Sequence, residues 1–331
     1  LYLFLLEKRA ENIISKAGIV SETKVIEKAS SFGVIWPNRI KIILTSIFAG
    51  FLFAILFSII RLIFFEKIKN LTELDEHTDL PVLGGVPFLK NKETDYLIVD
   101  ANPKGAFSEA FRNIRANLQY LSSDKPSKII MITSVHPSEG KTFSSINLAT
   151  IISKANKKVL VIDFDMHKPR LHQGFKMDKN KGLSNYLIND KTLDEIIVKT
   201  QVDSLDAIFS GPIPPNPSEL VLSKKVETMF EELRKKYEYI ILDTPPLALI
   251  SDGAILLNKH ADLGVFVTNT KFSNKNVLNF LQEISEKTPD KNVGLILNGI
   301  QNNKWRYYYG KYDYKYAYSY DYNYSVDEAE Y

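Results

Sequence analysis

Lys128-Ile129-Ile130-Met131-Ile132-Thr133-Ser134-Val135-His136-Pro137-Ser138-Glu139-Gly140-Lys141-Thr142 runs from a short apolar, branched segment through a turn to Gly-Lys-Thr. A helical pattern follows through Asn147, Leu148 and Ile151. Strand, loop and helix thus come in the order that a phosphate-binding loop requires. In such a loop the backbone N–H groups at the helix N-terminus surround phosphate oxygens, Lys141 sets a point charge on the β and γ oxygens, and the Thr142 hydroxyl ligates Mg²⁺. Ser138, Glu139, Gly140, Lys141, Thr142 and Phe143 are therefore the expected nucleotide-binding residues. The usual first glycine of the motif is missing, and Val135 stands in its place.

Two more apolar runs end in carboxylates. Lys158-Val159-Leu160-Val161-Ile162 leads into Asp163-Phe164-Asp165, and Tyr239-Ile240-Ile241-Leu242 into Asp243-Thr244-Pro245-Pro246. Three buried strands with a phosphate loop or a carboxylate at each C-terminal end place these groups along one edge of a parallel sheet, where open α/β sheets bind ligands. The fold expected is an α/β P-loop NTPase, its mostly parallel sheet flanked by helices. Each aspartate standing alone reads more readily as a helix cap or a solvated loop residue, while the strand ends taken together favour function, and Asp252 similarly reads as a cap. Asn298, which ends the apolar run Leu295-Ile296-Leu297, either contacts the adenine base or closes a simple turn.

The 331 residues are 45% hydrophobic and 24% charged, enough for a sizeable core, and a net charge of +3 does not point to nucleic acid as a partner. With no cysteine, a disulfide framework, a thiolate metal site and a cysteine nucleophile are all excluded. Ile42 to Ile60 is an uncharged apolar run of the length needed to cross a bilayer core of about 30 Å. Arg39, Lys41 and Arg61 bracket it, with Trp36 at one interface. The competing reading is a buried core helix, which is rarely apolar on every face over such a length. The organisation expected is a helical segment over 1–38, a transmembrane helix over 39–65, a turn-rich linker over 66–100, the P-loop domain over 101–303 and a tail over 304–331.

The tail departs from globular composition. Tyr307, Tyr308, Tyr309, Tyr312, Tyr314, Tyr316, Tyr318, Tyr320, Tyr322, Tyr324 and Tyr331 crowd it, with lysines interleaved. An edge strand or a stacking platform for single-stranded nucleic acid is open to such a pattern. A segment of phosphate acceptors fits better, because a tyrosine hydroxyl must reach a γ-phosphate in line and a mobile tail presents many in turn.

Asp163-Phe164-Asp165 downstream of a phosphate loop with Pro137 inside it resembles the bacterial tyrosine kinases of capsular and exopolysaccharide export. Several other stretches carry the same resemblance: Leu5-Leu6-Glu7-Lys8-Arg9, Trp36-Pro37-Asn38-Arg39, Leu80 to Pro87, and Ser210 to Leu220. Glu109, Arg112 and Arg115 match the family's Glu-x-x-Arg-x-x-Arg helix, whose simpler reading is a salt-bridge stripe. His167 replaces the arginine usual two residues after the second aspartate, with Lys168 beside it. His136 occupies the position of the signature lysine of partition-type ATPases, which argues against that branch.

The resemblance implies an ATP- and Mg²⁺-dependent protein-tyrosine kinase in the inner membrane, its kinase domain cytoplasmic and its residues 1–38 extracytoplasmic. Lys141, Asp163, Asp165 and Asp243 are then the catalytic residues. Thr142, Asp163 and Asp243 hold the metal, and Asp163 also takes the tyrosine proton. It further implies a homo-oligomeric ring joined at the Glu109/Arg112/Arg115 face, phosphorylation of the tail in trans, contact with the polymerisation and export machinery and with a tyrosine phosphatase, and no nucleic acid. The competing readings are a partition-type ATPase switch and a non-enzymatic chain-length co-polymerase.

Overall fold

Lys128–Ser134 is the fourth strand across an eight-stranded sheet in a computed structural model that describes residues 1–18, 36–65, 67–89, 96–121, 126–247, 252–288 and 292–301. The tyrosines of the tail lie outside the described residues, as do residues 19–35. Two units are present, residues 1–63 and 64–331.

In the first unit, α1 (Tyr2–Gly18) buries none of its side chains. The second helix, α2 (Arg39–Phe65), is 27 residues long, about 40 Å at 1.5 Å per residue. Asn38 Oδ1 accepts the Lys41 amide at 3.3 Å and caps its first turn. From Arg39 to Arg61 this helix is apolar, unburied and long enough to cross a membrane by length and composition. The burial that a core-helix reading needs is absent there.

The second unit runs α3 (Leu71–Glu76), β1 (Val82–Pro87), α4 (Ile98–Ala101), α5 (Ala106–Leu121), β2 (Lys128–Ser134), α6 (Lys141–Ser153), β3 (Val159–Asp163), α7 (Leu171–Gly174), α8 (Leu183–Leu187), α9 (Leu193–Ile196), β4 (Val198–Lys199), β5 (Leu205–Ile208), α10 (Pro217–Val221), α11 (Lys224–Lys236), β6 (Tyr239–Asp243), α12 (Asp252–Lys259), β7 (Leu263–Asn269), α13 (Lys275–Glu286) and β8 (Asn292–Ile300). Across the sheet the order is β1-β8-β7-β2-β6-β3-β5-β4. Every pairing is parallel except that of the two-residue β4 with β5.

Period-2 alternation divides the apolar strands between two cores. Ile130 and Ile132 face Phe111, Ile114 and Leu118 of α5 and Ile146 of α6, whereas Ile129 and Met131 share the opposite cluster with Met229, Phe230 and Leu233 of α11 and Leu281 of α13. Helices thus cover both faces, which is why the strands read as continuous apolar runs.

The described part of residues 66–100 is not the linker that their acidic, turn-rich composition suggests. Within them β1 pairs in parallel with β8 from Val82–Leu295 to Pro87–Ile300. Leu71, Leu74, Leu83, Val86 and Val99 are buried. Asn147 on α6 fastens the segment: its Oδ1 accepts the Val99 amide at 3.1 Å and its Nδ2 donates to the Tyr96 carbonyl at 2.6 Å. The P-loop domain therefore begins well before residue 101.

Candidate active site

Because β2, β3 and β6 are adjacent and parallel, their carboxyl ends bring the phosphate loop, Asp163-Phe164-Asp165 and Asp243 together. Asp163 and Asp243 are direct partners in the register. The loop turns through two left-handed residues, Ser138 (φ 67°) and Gly140 (φ 101°). Val135 is not one of these positive-φ residues, so the missing first glycine is tolerated without strain. At Gly140 the left-handed φ demands glycine, and a Cβ there would also displace the Asn298 side chain, whose Nδ2 would lie 2.0 Å from it.

Lys141, at the first position of α6, points into a nest of carboxylates. Its Nζ donates to Asp165 Oδ2 at 2.8 Å and lies 3.9 Å from Asp243 Oδ1. Burial works to lower its pKa, but Asp243 and Asp165 carry it above the ordinary lysine value. For Asp165 burial pulls upward, and the charge and hydrogen bond of Lys141, with the Lys168 amide on Oδ1 at 2.9 Å, outweigh it and hold the carboxyl below its usual range. Burial pushes Asp243 up. The Ser145 hydroxyl donates to its Oδ1 at 3.3 Å, the Thr142 hydroxyl beside it works to lower its pKa, and its Oδ2 is buried without a partner.

That orphaned oxygen beside a threonine hydroxyl suits a divalent cation whose remaining ligands are phosphate oxygens and water. Thr142 and Asp243 are the side chains that would hold it. Asp163 is engaged differently from expectation. Its Oδ1 accepts the Asp165 amide at 3.1 Å and its Oδ2 the Leu171 amide at 3.4 Å, so the fully buried carboxylate fastens the turn after β3. Burial, then the charge of Asp243, raise its pKa well above the carboxylate range.

Glu139 turns its side chain inward rather than toward the place a nucleotide would take. Its Oε2 accepts the His136 amide at 2.8 Å, its Oε1 has no partner, and burial raises its pKa to about 7. Asn298 Nδ2 donates to the Glu139 main-chain carbonyl at 2.9 Å. Its side chain thus clamps the phosphate loop. Phe143 packs among Tyr96, Phe107 and Phe111, so it supports the loop from behind.

On α5, Arg112 pairs with Glu109 and also donates to the Pro103 carbonyl at 2.7 Å, while Arg115 donates to the Ile151 carbonyl at 2.8 Å. Arg115 is thus tied to α6 within the same subunit, and of the three only Glu109 is exposed. Ser145, the second hydroxyl on Asp243, was not singled out by the motif. Its signal is positional, one helical turn after Lys141.

Together these features define a P-loop nucleotide-binding protein. A family model described as an AAA domain matches residues 127–295. The tyrosine-protein kinase YwqD of Bacillus subtilis is 36% identical over 219 residues, covering 66% of this chain and 92% of that protein. The tyrosine-protein kinase ptk of Acinetobacter johnsonii is 31% identical over 318 residues, 93% of this chain and 43% of that protein. Among solved structures, the kinase domain of Escherichia coli tyrosine kinase ETK aligns with a TM-score of 0.63 at 28% identity, covering 76% of this chain and 97% of that domain. The chain belongs to the bacterial tyrosine-protein kinase family, and it spans less than half the length of a relative such as ptk.

Proposed function

We propose that this chain is the membrane-anchored catalytic part of an autophosphorylating protein-tyrosine kinase. It transfers the γ-phosphate of ATP in trans to the tyrosines of residues 307–331 within a homo-oligomeric ring, and so regulates capsular or exopolysaccharide polymerisation and export. The kinase domain faces the cytoplasm at the inner membrane, and a tyrosine phosphatase resets the tail. The observation that carries this reading is Lys141 at the start of α6, held between Asp165 and Asp243 at the carboxyl edge of the sheet.

ATP with Mg²⁺ supplies the phosphoryl group and the neutralising charge. Lys141 leaves its carboxylate partners for the phosphates, the amides of Gly140 to Thr142 surround them, and Asp165 holds Lys141 in place until then. Asp163, released from the Asp165 and Leu171 amides as the tail enters, accepts the proton of the incoming tyrosine. A phenol with an ordinary pKa of about 10 needs a base, and a carboxylate raised by burial is a better one than Asp165, which Lys141 depresses.

Intact-mass spectrometry of the full chain with ATP and Mg²⁺, beside Lys141→Met, tests the reading. A ladder of added phosphates on the tail, absent from the variant, is expected. ADP release with no gain of mass refutes the kinase reading in favour of an ATPase switch.

A further inference from the structure

Residues 167–181, which follow the strand-end aspartates, hold Lys168, Arg170, Lys176, Lys179 and Lys181 against a single acid, Asp178. Their path is set by the sheet. At one end the Lys168 amide donates to Asp165 and the Leu171 amide to Asp163, at the carboxyl end of β3. At the other end the Leu183 amide donates to the Phe209 carbonyl, just past β5, the parallel neighbour of β3. The segment therefore runs along the carboxyl edge of the sheet, away from the aspartates. Lys168, Arg170 and Lys181 are exposed, and among the described residues neither they nor Lys179 form an ion pair. Glu195, the acid that feels the charge of Lys181, is already held by Thr192 and Lys191.

One stretch of this chain has the opposite character. After Lys315 no basic residue follows, and residues 316–331 carry Asp321, Asp327, Glu328 and Glu330 among six tyrosines. We propose that the basic strip of residues 167–181 is the docking surface for the acidic tail segment 316–331, steering its tyrosines toward the strand-end aspartates. This inference rests on the kinase reading for its purpose but not for its detection. Opposite charges on two surfaces raise the encounter rate by about 10-fold or more at low salt and lose that advantage once the Debye length falls below about 8 Å. A phosphotyrosine adds about −1.5 to −2 charges, so a modified tail binds the strip more tightly.

The test uses the full chain in detergent and a charge swap. Lys179→Glu with Lys181→Glu is expected to slow the initial rate of tail phosphorylation about tenfold at low ionic strength and about twofold at high. Adding Asp327→Lys with Glu328→Lys is expected to restore the rate to within about twofold. Independently of any transfer, a zero-length amine–carboxyl cross-linker without ATP should join Lys179 or Lys181 to Asp327, Glu328 or Glu330. In the swapped chain positions 179 or 181 should still join positions 327 or 328, with amine and carboxyl exchanged between the two segments. Lys179→Gln with Lys181→Gln, read by the same rate, guards against misfolding of the reversed variant. Cross-links with no phosphate transfer leave the docking surface standing and remove the kinase reading. Unchanged rates in both lysine variants, or a swap that restores nothing, overturn the docking surface and leave the kinase reading intact. Loss of binding to anionic phospholipid vesicles with tail phosphorylation unaltered overturns it too, and assigns the strip to a lipid surface.

Discussion

Asn298→Ala separates two jobs that an asparagine at a nucleotide site can do. In the structure its Nδ2 donates to the Glu139 carbonyl at 2.9 Å and sits against the Gly140 turn. Removing the amide deletes one neutral hydrogen bond, worth about 1 kcal/mol net. The loop then has that much less help in holding its amides ready, and the loss appears in binding as about a fivefold weaker affinity. Because the amide acts on the loop and not on a base, ATP and inorganic tripolyphosphate should weaken by the same factor. Isothermal titration of both ligands against wild type and variant measures this directly. A variant that binds tripolyphosphate as well as wild type but ATP fivefold more weakly refutes the clamp and places Asn298 on the adenine. Asn298→Asp, which cannot donate and adds a charge near the phosphates, should weaken both ligands by more than tenfold.

Glu139→Gln probes the buried acid. A carboxyl at about 7 in the folded chain and 4.5 unfolded lowers stability as pH rises between those values, by up to about 3 kcal/mol; the variant should melt higher than wild type at pH 8, with the gap closing by pH 4.5. Asp165→Asn works in the opposite direction, because the wild-type carboxyl is depressed below 3.8. A loss of about 2 kcal/mol, reduced from the usual value for a broken buried pair by the nearby Asp243, should show in denaturant melts at neutral pH and vanish as pH falls through the Asp165 pKa. A fragment starting at residue 101 removes Leu71, Leu74, Leu83, Val86 and Val99 from the core. At about 1.5–3 kcal/mol each that approaches the whole stability of a domain, so the fragment should be insoluble while one starting at Lys67 folds, as expression and calorimetry would show.

The central strands were legible because each is a continuous apolar run ending in a group with chemistry of its own, and burial on both faces leaves no periodicity to misread. The β1 strand was not. Pro81, Gly84, Gly85 and Pro87 are turn-formers by composition, and what makes Val82–Pro87 a strand is its pairing with β8, more than 200 residues later, together with the Asn117 donor to the Leu83 carbonyl at 2.9 Å. At the site, Lys141, Asp165 and Asp243 meet because each stands at the end of a strand or the start of a helix, a position that spacing alone exposes. The turn-fastening use of Asp163 and the clamp made by Asn298 depend on main-chain partners that no spacing rule points to. Arg115 shows the same limit, since its spacing marks a helix face but not the Ile151 carbonyl that it meets.

The two ends of the sheet are guarded in different ways. On one side β4 is two residues long and runs against its neighbour, too brief to template another strand. On the other, β1 is buried from Leu83 to Pro87, so its free backbone edge is not offered to solvent. Long exposed edges invite strand-to-strand aggregation between copies. A domain closed in this way can be crowded against many identical neighbours without its sheet continuing into theirs, so that among the described residues helix faces and loops are the surfaces left for an ordered assembly to grow through.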